Sequence, residues 1–359
     1  MTKVATIDTR RFVHLVVIAA MVIATLLALV VPRVAQADTS DSVNGNFTVN
    51  DDSAPSVDNV TLHNHIGGSS ASDMSPLTNE YEVWVEVEDL NTLHTLTTIV
   101  VTLYWDANGT YVESEVPLLP NNNTCAIFTY THNHGGSDTW VMSNTSAFWV
   151  LALDCVPPDL GEPNGIYKFV FTPGKVAQET SDHGTSPEWQ ISAIASDATA
   201  HAHQYLEDLD MNWYGEINVS DTDVSFGNVS LGAERTPSTT AISATYISND
   251  AFLEQVMTTA TWNSPTKNLT LDENGGVLAN GTFSIEADDD IGPVPGAVFV
   301  KASGYTSFGT DDTINDVMTA EGGHLVTTNY LWLTLADAGI PPVQYSGTIW
   351  YAIADNGVV

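Results

Sequence analysis

Basic residues are scarce: 9 Lys and Arg stand against 44 Asp and Glu in 359 residues, a formal net charge of −35. Nucleic acid and anionic lipid are bound chiefly through Lys and Arg, so this balance excludes both as partners. Cysteine is limited to Cys125 and Cys155, which leaves room for a single disulfide. Long apolar runs are missing beyond residue 31, so nothing later in the chain spans a bilayer as a helix. Tyr351 to Val359 carries no sorting signal or hydrophobic tail. Local catalytic signatures are missing as well. There is no Gly-x-Ser-x-Gly, no His-Glu-x-x-His and no phosphate-cradling loop. With so many carboxylates, a glycosidase pair cannot be singled out either.

What is present begins with an export signal. Lys3, Arg10 and Arg11 precede an apolar run from Phe12 to Val31 and the small-residue site Ala35-Gln36-Ala37. That order predicts cleavage before Asp38 and a secreted or cell-surface protein with no membrane span after cleavage. The alternative is an uncleaved anchor, since the run has about 20 residues. Cleavage removes four basic residues and one acidic, leaving 5 against 43 and a net charge of −38. Such a chain needs salt or bound cations to offset its self-repulsion.

The apolar fraction, 43%, supports a folded protein with two buried cores. In an exported chain, Cys125 and Cys155 are expected to pair as a disulfide. Asn-x-Ser/Thr acceptors at Asn46, Asn59, Asn108, Asn122, Asn144, Asn218, Asn228, Asn268 and Asn280 are candidate glycosylation sites.

Residues 38–54 are mostly polar and predict a flexible leader. From Pro55 the pattern alternates, as in Tyr81-Glu82-Val83-Trp84-Val85-Glu86-Val87-Glu88, the period of a half-buried strand. Similar stretches recur at Thr97 to Trp105, Tyr111 to Val116, Thr124 to Thr131, Ile166 to Thr172 and Glu188 to Ala195, with His201 to Ile217 as a closing strand pair. No amphipathic helix intervenes. After residue 218, strands are expected at Val224 to Val229, Ala241 to Ser248, Gln255 to Trp262, Thr282 to Ala287, Val298 to Ser303, Thr327 to Thr334 and Ser346 to Ala354. The fold class is therefore all-β, with β-sandwich domains at 55–217 and 218–359.

The strand Tyr81 to Val87, the segment Asp89-Leu90-Asn91-Thr92-Leu93, and Trp189 followed by Asp197 resemble the immunoglobulin-like modules of archaeal and bacterial envelope proteins. Val224 to Gly232 is similar to the opening strand of ASH-type sandwich modules. The resemblance implies two tandem immunoglobulin-like sandwiches and a surface or adhesive role, and it transfers no active residue. One departure is that Cys125, Trp140 and Cys155 lie too close together for the antibody-type inter-sheet bridge.

Three His-x-His pairs, His63/His65, His132/His134 and His201/His203, could each offer two nitrogens to Zn²⁺ or Cu²⁺, because residues two apart on a strand share a face. Acidic clusters at Asp288-Asp289-Asp290 and at Asp311, Asp312 and Asp316 would suit structural Ca²⁺. Trp84, Trp105, Trp213 and Trp350 could stack on sugars if exposed. The leading expectation is a non-enzymatic extracellular structural or interaction protein: a subunit of a surface layer, filament or adhesive appendage. Its partners would be other surface proteins or further copies of itself. The alternatives are an exported metal-binding protein built on the histidine pairs and a carbohydrate-binding module. The metal reading requires at least three ligands to converge.

Overall fold

The computed structural model describes residues 53–143, 148–180, 187–221, 223–289, 297–307 and 325–355, all within one unit, Asp52–Val359. The expected export signal and all of the expected leader but Ser53 and Ala54 lie outside the described residues.

The first half is built from β1 (Ser56–Asn64), β2 (Asp73–Met74), β3 (Tyr81–Glu88), β4 (Thr98–Asp106), β5 (Cys125–Thr131), β6 (Thr139–Met142), β7 (Val150–Leu151), β8 (Asn164–Thr172), β9 (Glu188–Ser196) and β10 (His201–Met211). They form two sheets, ordered β1-β3-β8-β7 and β2-β10-β9-β4-β5-β6. With β1, β3, β8 and β7 as strands A, B, E and D, and β10, β9, β4, β5 and β6 as G, F, C, C′ and C″, this is the order of an immunoglobulin variable-type sandwich. The alternation of β3 explains its place. Val83, Val85 and Val87 are fully buried, while Glu86 on the opposite face is exposed. Opposite them, Ile99, Val101, Leu103, Phe128, Tyr130, Trp189 and Ile191 complete one core cluster.

The other face of the larger sheet is covered too. Tyr104, Cys125 and Ile127 form a small cluster there with Tyr111 and Val116. The strand expected at Tyr111 to Val116 is instead part of this covering loop, with a 3-10 turn at Glu113–Glu115. Its apolar residues pack on the sheet's outer face rather than pairing with its edge.

The second half contains β11 (Gly215–Val219), β12 (Thr236–Pro237), β13 (Ile242–Ser248), β14 (Phe252–Thr258), β15 (Thr261–Asn263), β16 (Asn268–Leu271), β17 (Thr282–Asp288), β18 (Val298–Phe299), β19 (Thr306–Ser307), β20 (Leu325–Leu335) and β21 (Ile349–Asp355). The larger sheet runs β11-β13-β20-β17-β16-β15, with β12 on β20 and β18 on β17, and the smaller runs β19-β14-β21. Phe283, Ile285, Leu331 and Leu333 pack with Val256, Ile349 and Tyr351 in a second core cluster. The segment expected as a strand at Val224 to Val229 is irregular. Phe226 is buried there, but Gly227 turns the chain at φ 63°. The closing pair expected at His201 to Ile217 divides between the halves: β10 pairs with β9, whereas β11 pairs with β13.

Asn249 ties the halves together. It is fully buried; its Nδ2 donates to Ala177 O at 2.8 Å and Asn212 O at 2.9 Å, and its Oδ1 accepts from Tyr214 N at 2.6 Å. Lys175 Nζ adds an ion pair to Glu216 at 2.7 Å. No helix among the described residues is long and apolar enough to cross a membrane.

Candidate functional site

Three connections meet at one end of the first sandwich: residues 89–97 between β3 and β4, 132–138 between β5 and β6, and 197–200 between β9 and β10. In variable-type sandwiches these are the B–C, C′–C″ and F–G connections, which cluster at one end. Here they adjoin because the register pairs Thr98 with both Thr131 and Ser196. Past the strand ends, His132 N donates to Thr97 O at 2.9 Å and Thr97 N to Ser196 O at 2.8 Å.

Each connection is held from within. Asp89 is buried, accepting from Asn91 N at 2.9 Å and from Thr95 Oγ1 at 2.7 Å. This supports a 3-10 turn, Leu93–Thr95, that buries Leu93 and leaves His94 exposed. In the second connection, Asp138 accepts from Tyr130 Oη at 2.7 Å and Asn133 N at 3.1 Å, and meets His132 Nδ1 at 2.8 Å. Partial burial works against its charge, but the hydrogen bonds from Tyr130, Asn133 and His132 prevail and hold the carboxyl below the usual aspartate range. Asp197 anchors the third connection, accepting from Thr199 N and Ala200 N, both at 2.6 Å.

The result is a cluster of three imidazoles. His132 Nε2 lies 3.1 Å from His94 Nδ1. Ring centroids are 4.8 Å apart for His94 and His132, 5.2 Å for His94 and His134, and 4.5 Å for His132 and His134. One nitrogen from each ring falls within 4.8 Å of the other two. His132 and His134 were legible in the sequence as a pair. His94 was not, because its place follows from the pairing of β4 with β5.

The other two histidine pairs lie elsewhere. His63 stacks on Trp84 with centroids 3.9 Å apart, and its two nitrogens contact Gly68 O and Thr61 Oγ1. His65 faces carboxylates, with Nδ1 2.7 Å from Glu82 and Nε2 3.3 Å from Asp154 and 3.8 Å from Glu80. His201 and His203 are exposed on β10, with His203 3.7 Å from Glu113. Among the described residues, only His94, His132 and His134 bring three potential ligands together.

The expected disulfide does not form: no bridge joins Cys125 to Cys155. Cys125 points to the outer face of the larger sheet, and burial pushes its thiol up to about 12. Cys155 sits against β8 of the other sheet, its sulfur accepting from Val170 N at 3.3 Å. Cys125 belongs to the cluster on the outer face of one sheet while Cys155 lies against the other sheet, so the two sulfurs do not face each other across the core.

Asp288 is buried on β17 and Asp289 half-buried; Asp290, Asp311, Asp312 and Asp316 lie outside the described residues. Asn59, Asn108, Asn218, Asn228, Asn268 and Asn280 are exposed. Asn122 is buried, which leaves no room for a glycan on its side chain. Asn46 and Asn144 lie outside the described residues. Of the four tryptophans, Trp105 packs against the first core, Trp213 against a cluster around Tyr246 and Phe252, and Trp84 lies between His63 and Lys168. Trp350 is 39% exposed.

No family model matches the chain, and no curated protein matches it. Among solved structures, a chain of the CsuC–CsuE chaperone–tip adhesion subunit pre-assembly complex, from archaic chaperone–usher Csu pili of Acinetobacter baumannii, aligns at 10% identity. The match covers 84% of this chain and 99% of that one, with a TM-score of 0.27. At so low a score the fold assignment rests on the strand order of the chain itself.

Proposed function

We propose that this chain is an exported, non-enzymatic structural or interaction protein: a subunit of a surface layer, an extracellular filament or an adhesive appendage. The observation that carries the reading is the joint at Asn249. Its side chain fixes strand-connecting backbone of both halves through buried hydrogen bonds, so sheet edges and loop ends keep a set relation to one another. A building block needs that property, whereas modules on a loose linker move independently by default. The strongly acidic composition and the tripartite N-terminal segment support an extracellular setting. Calcium among the acidic loops and glycans on the exposed acceptors belong to the same reading, because cations would offset the self-repulsion of the assembled surface.

The test is light scattering and electron microscopy on the chain from Asp38 onward, purified with EDTA and then given Ca²⁺ at several ionic strengths. Ordered filaments or sheets support the reading. A monodisperse monomer under every condition, with no partner recovered by crosslinking at the cell surface, overturns it.

A further inference from the structure

We infer that His94, His132 and His134 form a binding site for a borderline divalent transition metal, Zn²⁺ or Cu²⁺, with one coordination position open to solvent. The inference stands apart from the proposed surface role and rests on the geometry of the cluster.

The ligand atoms are assigned by their neighbours. Nδ1 of His132 faces Asp138 at 2.8 Å, leaving Nε2 to face the cluster. A carboxylate behind a ligating imidazole is a recurrent arrangement, because it fixes the ring and raises the basicity of the nitrogen that binds the metal. Asp138 is held in turn by Tyr130, whose ring packs on Trp140 at 4.7 Å and on Tyr167 at 5.0 Å. A chain of fixed contacts thus runs from the core to His132 Nε2.

The spacing fits a small ion. Four-coordinate Zn²⁺ with bonds of about 2.0 Å has ligand nitrogens about 3.3 Å apart. His132 Nε2 and His94 Nδ1 are already 3.1 Å apart. His134, exposed in the connection after β5, reaches the same spacing with a movement of at most about 1.5 Å from the 4.8 Å limit of the cluster. One ion at the centre of the cluster can take a lone pair from all three rings at once.

The donor set decides the class of ion. Imidazole nitrogen suits Zn²⁺, Cu²⁺ and Ni²⁺, whereas Ca²⁺ and Mg²⁺ take oxygen. The nearest carboxylate, Asp138, is engaged by Tyr130, Asn133 and His132. With three protein ligands, two of them exposed, the fourth position is left to water or to a donor brought by a partner. The net charge of the chain favours any cation in its vicinity.

The experiment uses the chain from Asp38 onward without a histidine tag, stripped with chelator and equilibrated by dialysis against Zn²⁺, with bound metal measured by elemental analysis. One tightly held equivalent is expected, retained against a large excess of Ca²⁺. His94→Ala and His134→Ala each change an exposed side chain and should abolish tight binding while leaving the melting temperature of the metal-free chain unchanged. Asp138→Asn should weaken binding roughly 10–100-fold. His201→Ala and His203→Ala should have no effect. Resonances of the three imidazoles should shift together on titration. The inference is overturned if the wild-type chain holds no stoichiometric zinc, or if His94→Ala and His134→Ala leave its affinity unchanged.

Discussion

His132 and Asp138, six residues apart, close the turn between β5 and β6 through a 2.8 Å contact from Nδ1 to Oδ1, and the other carboxylate oxygen accepts from Tyr130 at 2.7 Å. One side chain therefore joins the buried aromatic cluster to the exposed histidines. Its folded-state pKa is depressed, so the ionised carboxylate stabilises the fold above its unfolded pKa, and that stability is lost as pH falls through the lower, folded value. Asp138→Asn should cost about 1–2 kcal/mol at neutral pH by urea denaturation. The gap from wild type should close in strong acid; a gap that persists there would mean the loss is one of packing.

Glu254 presents the opposite case. It is fully buried on β14, accepting from Tyr246 Oη and Asn329 Nδ2 on the facing sheet. Burial, the largest cause, raises its carboxyl to about 7 against the hydrogen bonds that lower it. The native state then holds a proton that the unfolded chain releases, so the sign reverses: stability is greatest below the unfolded pKa and falls as pH rises through about 7. The effect is on the order of 3 kcal/mol. Glu179, raised to about 7 by burial and by the nearby Asp355 and Asp250, acts in the same direction. Glu254→Gln should remove about half of the decline in unfolding free energy between pH 5 and pH 8, Glu179 carrying much of the rest, and an unchanged slope would assign the decline to other groups.

The joint makes a separate prediction. Asn249→Ala strands Tyr214 N, Ala177 O and Asn212 O, which now bond its side chain. Leaving several buried polar groups unpaired should cost about 3 kcal/mol or more. Calorimetry should show the variant unfolding at a lower temperature. A variant that melts like wild type would remove Asn249 as the element that sets the joint.

How much of this could be read beforehand follows from which signals are local. Val83, Val85 and Val87 alternate with Glu82, Trp84, Glu86 and Glu88, and that period fixes β3 and the face it buries. The pair His132/His134 was visible as a local spacing, although both residues lie in the connection after β5 and not on a strand as expected. His94 was invisible because its proximity comes from a pairing: Thr98 opposite Thr131 forces the residues beyond both strand ends to meet. The disulfide expectation failed at the same level. Cysteine count and an expected export signal say that two thiols could pair, but only the sheet assignment shows Cys125 and Cys155 on different layers. Tyr111 to Val116 misled because β-prone residues serve equally well to cover a sheet.

The thiols are directly testable. A native-state alkylation assay should modify Cys155 slowly and leave Cys125, which is 1% exposed, untouched. Both should react once the chain is denatured without reductant. Cys125→Ser and Cys155→Ser should each lose far less than the roughly 3 kcal/mol typical of a severed disulfide closing a loop of this size. Intact mass two hydrogens below the reduced value would establish a bridge instead.

Thr92 stands two residues before His94 with φ 78° and ψ 149°, a region that β-branched residues rarely occupy. Such a conformation costs about 1–3 kcal/mol and persists where the surroundings enforce it. Here they are the buried Asp89, which holds Thr95 Oγ1, and Thr92's own carbonyl, which accepts from Thr95 N and Oγ1. Glycine takes positive φ without a side-chain clash, at an entropic cost of about 0.5–1 kcal/mol in the unfolded chain. Thr92→Gly should therefore raise stability by about 1 kcal/mol in chemical denaturation. The same change loosens the connection that carries His94, so zinc should be held less tightly in a more stable protein. Stability and affinity moving in opposite directions would mark the strain at Thr92 as part of how the histidine is placed; both rising together would mean the turn positions His94 without it.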